Sequence, residues 1–165
     1  LQRRRQRQMC IRDSLISNEW WRLITPMFIH FSPTHLIFNS LWIYILGREI
    51  EQLDGKIIFI FLILFTSISS NYLQYSFSGP SLFGGLSGVV YGLLGYCFVS
   101  ETFLRINKFS FPPAIYIFMF VWLLIGFTGF LDLLGFGKIA NFAHLGGLLS
   151  GILSGYIFSM YNKKA

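Results

Sequence analysis

The sequence predicts an all-α fold, a polytopic bundle of membrane-crossing helices, on three observations. Hydrophobic residues form 54% of the 165-residue chain, aromatic residues 19% and charged residues only 12%, with a mean hydropathy of +0.60. Its 19 phenylalanines nearly equal its 13 Lys and Arg and 7 Asp and Glu together, too little polar surface to cover a water-facing globule. The charges also crowd into breaks between five apolar runs, each near the roughly 20 residues a helix needs to cross about 30 Å of hydrocarbon. A soluble enzyme and a nucleic-acid-binding domain are both disfavoured. The net charge of +6 does not suggest nucleic acid, because six of the 13 basic residues lie in the first 22 positions and most others sit at the ends of apolar segments. Cys10 in a polar tail and Cys97 inside an apolar run make neither a disulfide framework nor a metal-ligand spacing.

Residues 1–13 form a basic tail with the run Arg3-Arg4-Arg5-Gln6-Arg7, expected to be non-native or disordered. Residues 14–33 are aromatic and amphipathic but too short to span. They are expected at the interface, Trp20 and Trp21 at headgroup depth and Arg22 reaching toward phosphate. The spans follow at 34–52, 56–76, 87–105, 112–133 and 140–160, and residues 161–165 form a short tail. Gly47-Arg48-Glu49 with Asp54-Gly55, Ser78-Gly79-Pro80, Arg105 to Lys108 with Pro112-Pro113, and Gly135 to Lys138 separate them. Runs this long favour helices over the roughly ten-residue alternating strands of a barrel.

Charge orients the bundle. The loops after the first and third spans and the C-terminus share one side and hold Arg48, Lys56, Arg105, Lys108, Lys163 and Lys164, whereas the opposite loops hold only Lys138. This bias puts the C-terminus in the cytoplasm and the Ser76–Leu86 and Leu134–Lys138 loops outside it. The N-terminal arginines then fall on the wrong side, which predicts a preceding helix absent from this chain or an artefactual start. No internal repeat is visible, which weakens a transporter reading.

Polar residues inside spans are costly and are read as functional by default. Four stand out at similar depth near the outer face: His35 and Asn39 in the first span, Ser87 starting the third and His144 near the start of the fifth. Ser87 lies in Phe83-Gly84-Gly85-Leu86-Ser87-Gly88, where paired glycines deliver the chain to a helix start whose first N–H groups lack intrahelical partners. Alone, such a serine is an ordinary N-cap, and it is not the strand-to-helix nucleophile elbow. His144 heads a stripe of Gly147, Gly151 and Gly155, and the third span offers Gly88, Gly92 and Gly95. Small faces of this kind let helices approach closely in lipid, carrying an imidazole to a hydroxyl as a base must reach its nucleophile. Tyr91, one turn beyond Ser87, is placed to stack on His144. Glu101 and Asp132 are too far for a triad, so the arrangement is a dyad. His35 and Asn39, spaced i, i+4, share a face and can both donate to a developing oxyanion. A metal held by His30, His35 and His144 is the alternative, with no H-E-x-x-H pattern or carboxylate beside it.

Taken together, Trp21-Arg22, His30-Phe31-Ser32, His35-x-x-x-Asn39, Gly85-Leu86-Ser87-Gly88, Tyr91 and Ala143-His144 with Gly147 and Gly151 resemble the rhomboid intramembrane serine proteases, particularly the bacterial GlpG-like group. The resemblance covers residues 19 to about 160, with 34–160 as the catalytic core. It implies that Ser87 is nucleophile and His144 general base, that His35, Asn39 and the Ser87 N–H form the oxyanion hole, and that Gly85 and Tyr91 support them. It also implies a gating role for Gly135–Ile139 with the end of the fourth span, and a six-helix core of which five are present. The expected protein is an endopeptidase of the bacterial inner membrane that cleaves transmembrane proteins near the outer interface. Its site would be watered through a cavity floored by His35, Asn39 and Tyr91. Expected partners are those substrates and the lipid bilayer, with no nucleic acid, cofactor or metal. The rival readings are an inactive rhomboid-like protein that binds client helices, and a small transporter lined by His35, Asn39 and His144.

Overall fold

The computed structural model describes residues 18–79, 81–104, 108–130 and 139–162. The basic tail, residues 14–17, Arg105, Asp132, the Gly135–Lys138 part of the expected gating loop and residues 163–165 lie outside these. Every regular element among the described residues is helical. Two 3-10 turns, Trp20–Leu23 and Thr25–Phe28, precede α1 (Pro33–Asp54), α2 (Lys56–Ser78), α3 (Ser87–Leu104), α4 (Pro113–Phe127) and α5 (Asn141–Asn162). By length and composition, α2 and the Asn141–Met160 part of α5 can cross a membrane, while α4 is apolar but shorter.

Local chemistry sets the boundaries. Ser32 caps α1 by accepting the His35 N–H at 3.2 Å, and Pro33 opens the first turn, where its missing donor costs nothing. Gly55 at φ +90° ends α1, Gly79 at φ +66° ends α2, and Pro113 opens α4 behind Pro112. Within the fourth expected span, 112–133, the helix is interrupted after Phe127, and residues 131–133 lie outside the described ones. The helix stops at Phe127 because Thr128 turns its hydroxyl back onto the Ile125 carbonyl and Gly129 takes φ +75°. At the other end of the chain, α5 runs past the expected residue 160 to Asn162.

The core is a three-helix contact centred on α3, which packs most extensively on α5 and also against α2, with α1 and α4 more peripheral. The α3–α5 seam is backbone on backbone. A Cβ on Gly147 or Gly151 would run into the Gly88 or Gly92 carbonyl, and one on Gly155 would lie 2.9 Å from the Tyr96 carbonyl. The four-residue period on both helices keeps the two ridges in step. Gly146 turns the adjacent face of α5 to α2, where a Cβ would meet the Ser69 carbonyl at 2.9 Å. At the end of the bundle away from Ser87, Lys108 pairs with the buried Asp54 carboxylate, tying the segment after α3 to the end of α1. Beside it Tyr116 donates to Glu101 at 2.7 Å.

The aromatic lead-in has Trp20, Trp21, Phe28 and Phe31 exposed. Arg22 does not reach outward as expected. Its side chain, 12% exposed, folds onto Glu19 one 3-10 turn earlier, where a carboxylate meets the guanidinium at close range.

Gly151→Ala is expected to destabilise the protein by about 1–3 kcal/mol, because a methyl there can be housed only by separating two backbones. Gly47→Ala, whose Cβ would meet only the Phe59 ring, is expected to cost clearly less. Thermal unfolding of the purified protein in detergent micelles compares the two.

Candidate active site

Two glycines carry the chain into α3. Gly85 takes φ +121°, a conformation side chains rarely adopt, and the peptide groups around it are held from the lead-in segment. The Gly85 N–H donates to the Pro26 carbonyl at 3.0 Å and the Leu86 N–H to His30 Nε2 at 3.5 Å. Gly84 sits so close to the lead-in that a Cβ would lie 2.8 Å from the Ile29 carbonyl. With its two predecessors anchored, the Ser87 N–H opens the helix.

Ser87 Oγ lies 2.8 Å from His144 Nε2, across the glycine seam and 57 positions apart in the chain. For the hydroxyl to donate in this contact, the imidazole must carry its proton on Nδ1. His144 is buried, Ser87 half-buried. The Tyr91 ring lies against the imidazole, centroids 4.7 Å apart and planes 27° from parallel, and its hydroxyl donates to the Met119 carbonyl of α4 at 2.9 Å.

His35 and Asn39 gather at Gly85. A Cβ built on Gly85 would lie 2.6 Å from the His35 ring and 3.5 Å from Asn39 Nδ2, so only glycine fits beneath them. Asn39 is 3% exposed and its Nδ2 has no hydrogen-bond partner among the described residues, a donor beside the peptide that leads to Ser87. His30 packs edge-on to His35 at 5.0 Å between centroids. The structure thus forms two groups, Ser87 with His144 and Tyr91, and Gly85 with His35 and Asn39, joined through Leu86.

Other residues at this end escaped the list of polar positions drawn from the sequence. Thr66, Ser67, Ser70, Asn71 and Gln74 form a buried polar face on α2. Gln74 Oε1 accepts the Ala143 N–H at 3.0 Å, an amide at the start of α5 that it shares with the Ala140 carbonyl, and Asn71 donates to the Leu23 carbonyl at 2.7 Å, fixing the lead-in. Asn141 donates to the Gly126 carbonyl at 2.8 Å, joining α5 to the end of α4. The signal was present in the spacing 66, 67, 70, 71, 74, which is one face of a helix.

A small cleft adjoins Ser87. Its lining includes Met27, Ser70, Asn71, Phe83 and Ala143, on the α2 side of the serine. Beyond it, Tyr91 is enclosed between His144 and α4, and the His35 ring lies over Gly85.

A family model of the rhomboid domain matches residues 17–161. Over 144 residues the chain is 38% identical to the rhomboid protease GlpG of Serratia proteamaculans (strain 568), an alignment covering 87% of this chain and 50% of that protein. The chain belongs to the rhomboid family and is GlpG-like. It spans about half the length of this curated relative, and family membership makes it a membrane protein.

Gly85→Ala is expected to impose about 1–3 kcal/mol of backbone strain and to displace the His35 ring. Labelling of Ser87 by a fluorophosphonate should slow by about tenfold or more, a change of roughly 1.4 kcal/mol in the barrier. Circular dichroism should retain the parental helix content.

Proposed function

We propose that the protein is an intramembrane serine endopeptidase with Ser87 as nucleophile and His144 as general base. The observation that carries this reading is the 2.8 Å contact between Ser87 Oγ and His144 Nε2. In the reaction, Ser87 Oγ attacks a substrate carbonyl carbon as its proton passes to His144 Nε2. The carbonyl oxygen becomes an oxyanion, met by the Ser87 N–H, Asn39 Nδ2 and the His35 ring. Collapse expels the amine, which takes the proton from His144 and leaves an acyl ester on Ser87. Water, deprotonated by His144, hydrolyses that ester and restores the serine.

The five helices are read as spans of a polytopic bundle in a bacterial inner membrane, with the C-terminus in the cytoplasm and the site near the outer face. Support comes from the six-to-one bias of basic residues between the two sets of loops. Lipid seals most of the bundle, and the cleft beside Ser87, with Ser67, Ser70 and Asn71 in its wall, supplies a polar path for water. Its apolar part, Met27, Phe83 and Ala143, suits a small side chain next to the scissile bond. Substrates are transmembrane proteins that unwind locally near the outer interface, since an intact helix engages its carbonyls in hydrogen bonds.

The test is cleavage of a reconstituted single-span substrate by the intact protein and two variants. Ser87→Ala is expected to abolish cleavage and His144→Ala to lower it by about 10³-fold or more, with both variants folded. Equal rates in all three proteins would end the proposal. A folded parent that binds the substrate without cutting it, and takes no label at Ser87, would mark an inactive client-binding rhomboid.

A further inference from the structure

We infer that the Tyr91 hydroxyl is a positioning group tying the orientation of the His144 imidazole to the seating of α4. The inference rests on the reading of Ser87 and His144 as a dyad and adds a residue-level control of its geometry. Stacking against His144 requires only a ring, which phenylalanine would supply. The hydroxyl at the far end of the ring is therefore the informative atom. Tyr91 is 2% exposed, and a hydroxyl buried in an apolar bundle is costly unless an acceptor meets it. The Met119 carbonyl meets it at 2.9 Å, from the middle of α4. A carbonyl has two lone pairs, so this one can serve its own helix and Tyr91 together.

α4, with 15 residues, is the shortest of α1 to α5 and is sparsely packed on the bundle. Pro112–Pro113 precede it, Gly129 follows at positive φ, and Ile117, Phe118, Phe120, Val121 and Leu124 are exposed. Side-chain hydrogen bonds attach it to the bundle along its length. Asn141 holds Gly126 at the site end, Tyr91 holds Met119 in the middle and Tyr116 reaches Glu101 at the far end. Of these, the Tyr91 bond is made by a ring that lies directly on His144. When α4 shifts outward, Tyr91 must follow the carbonyl or lose its acceptor. Following it tilts the ring away from the imidazole, and losing it frees the ring to turn. In both cases the surface that aligns His144 Nε2 with Ser87 Oγ is disturbed, so the dyad is fully aligned only with α4 seated.

The test uses the intact protein in proteoliposomes and compares the parent, Tyr91→Phe, Tyr116→Phe and Ser87→Ala. Two quantities are measured: the rate of Ser87 acylation by a small fluorophosphonate, and kcat and KM on a single-span substrate. Tyr91→Phe is expected to slow acylation and lower kcat by about fivefold, the weight of one hydrogen bond, with KM unchanged. Tyr116→Phe, which removes the attachment at the far end, is expected to lower the melting temperature and leave the acylation rate at the parental value. Acylation of Tyr91→Phe at the parental rate overturns the inference, as does an equal slowing in Tyr116→Phe, which would make the effect one of general loosening. Label on Ser87→Ala overturns the dyad reading and this inference together, whereas parental-rate labelling of Tyr91→Phe with an unlabelled Ser87→Ala overturns this inference alone.

Discussion

The structure depends on the approach of two backbones. α3 and α5 meet where Gly147 and Gly151 lie against the carbonyls of Gly88 and Gly92, with no side chain between them. Side chains of ordinary size would hold two helices about 8–10 Å apart, and that extra separation would exceed the reach of a serine hydroxyl toward an imidazole. In lipid the hydrophobic effect does little to drive helices together, so packing of this closeness carries much of the association itself. The same contact that stabilises the core therefore sets the 2.8 Å between Ser87 and His144.

Around that seam, polar groups are distributed by need. The amide at the start of α5 is met by Gln74, the segment before Ser87 is held by Pro26 and His30, and the lead-in is held by Asn71. Among the described residues, Asn39 keeps a donor without a partner. A buried donor without a partner is a cost to the resting fold, and a developing oxyanion is the kind of acceptor that would repay it.

The fold was readable in the sequence where local chemistry decides. Ser32-Pro33, Gly55, Gly79 and Pro112-Pro113 mark helix ends by backbone rules that need no tertiary context, and the helix starts fall within a residue of expectation. The end of α4 was hidden because the apolar pattern continues past Thr128, and only the hydroxyl turning onto Ile125 and the positive φ of Gly129 interrupt it. Ser87, His144 and Tyr91 were visible as a set because the glycine periods on two helices imply that those helices touch. The polar face of α2 was overlooked because serine and threonine inside a span can satisfy themselves on the preceding turn, as Thr66 does on the Leu62 carbonyl. That Gln74 and Asn71 instead serve distant backbone depends on which elements lie beside α2, and helical periodicity does not specify that. The inward fold of Arg22 onto Glu19 was missed for a similar reason, since an arginine beside tryptophans suits a headgroup equally well.

The polar half of α2 also bears on the order in which the bundle is assembled. Asn71 finds its acceptor in residues made before α2, whereas Gln74 finds its donor in Ala143, made well after it. Until α5 emerges, that carboxamide and Ser70 lie on a helix already apolar enough to have entered the bilayer, with the surface meant for α5 turned toward lipid. A nascent chain halted at this stage would present that polar face without its partner, so the helix that bears His144 also covers a surface of α2 to which lipid is poorly suited.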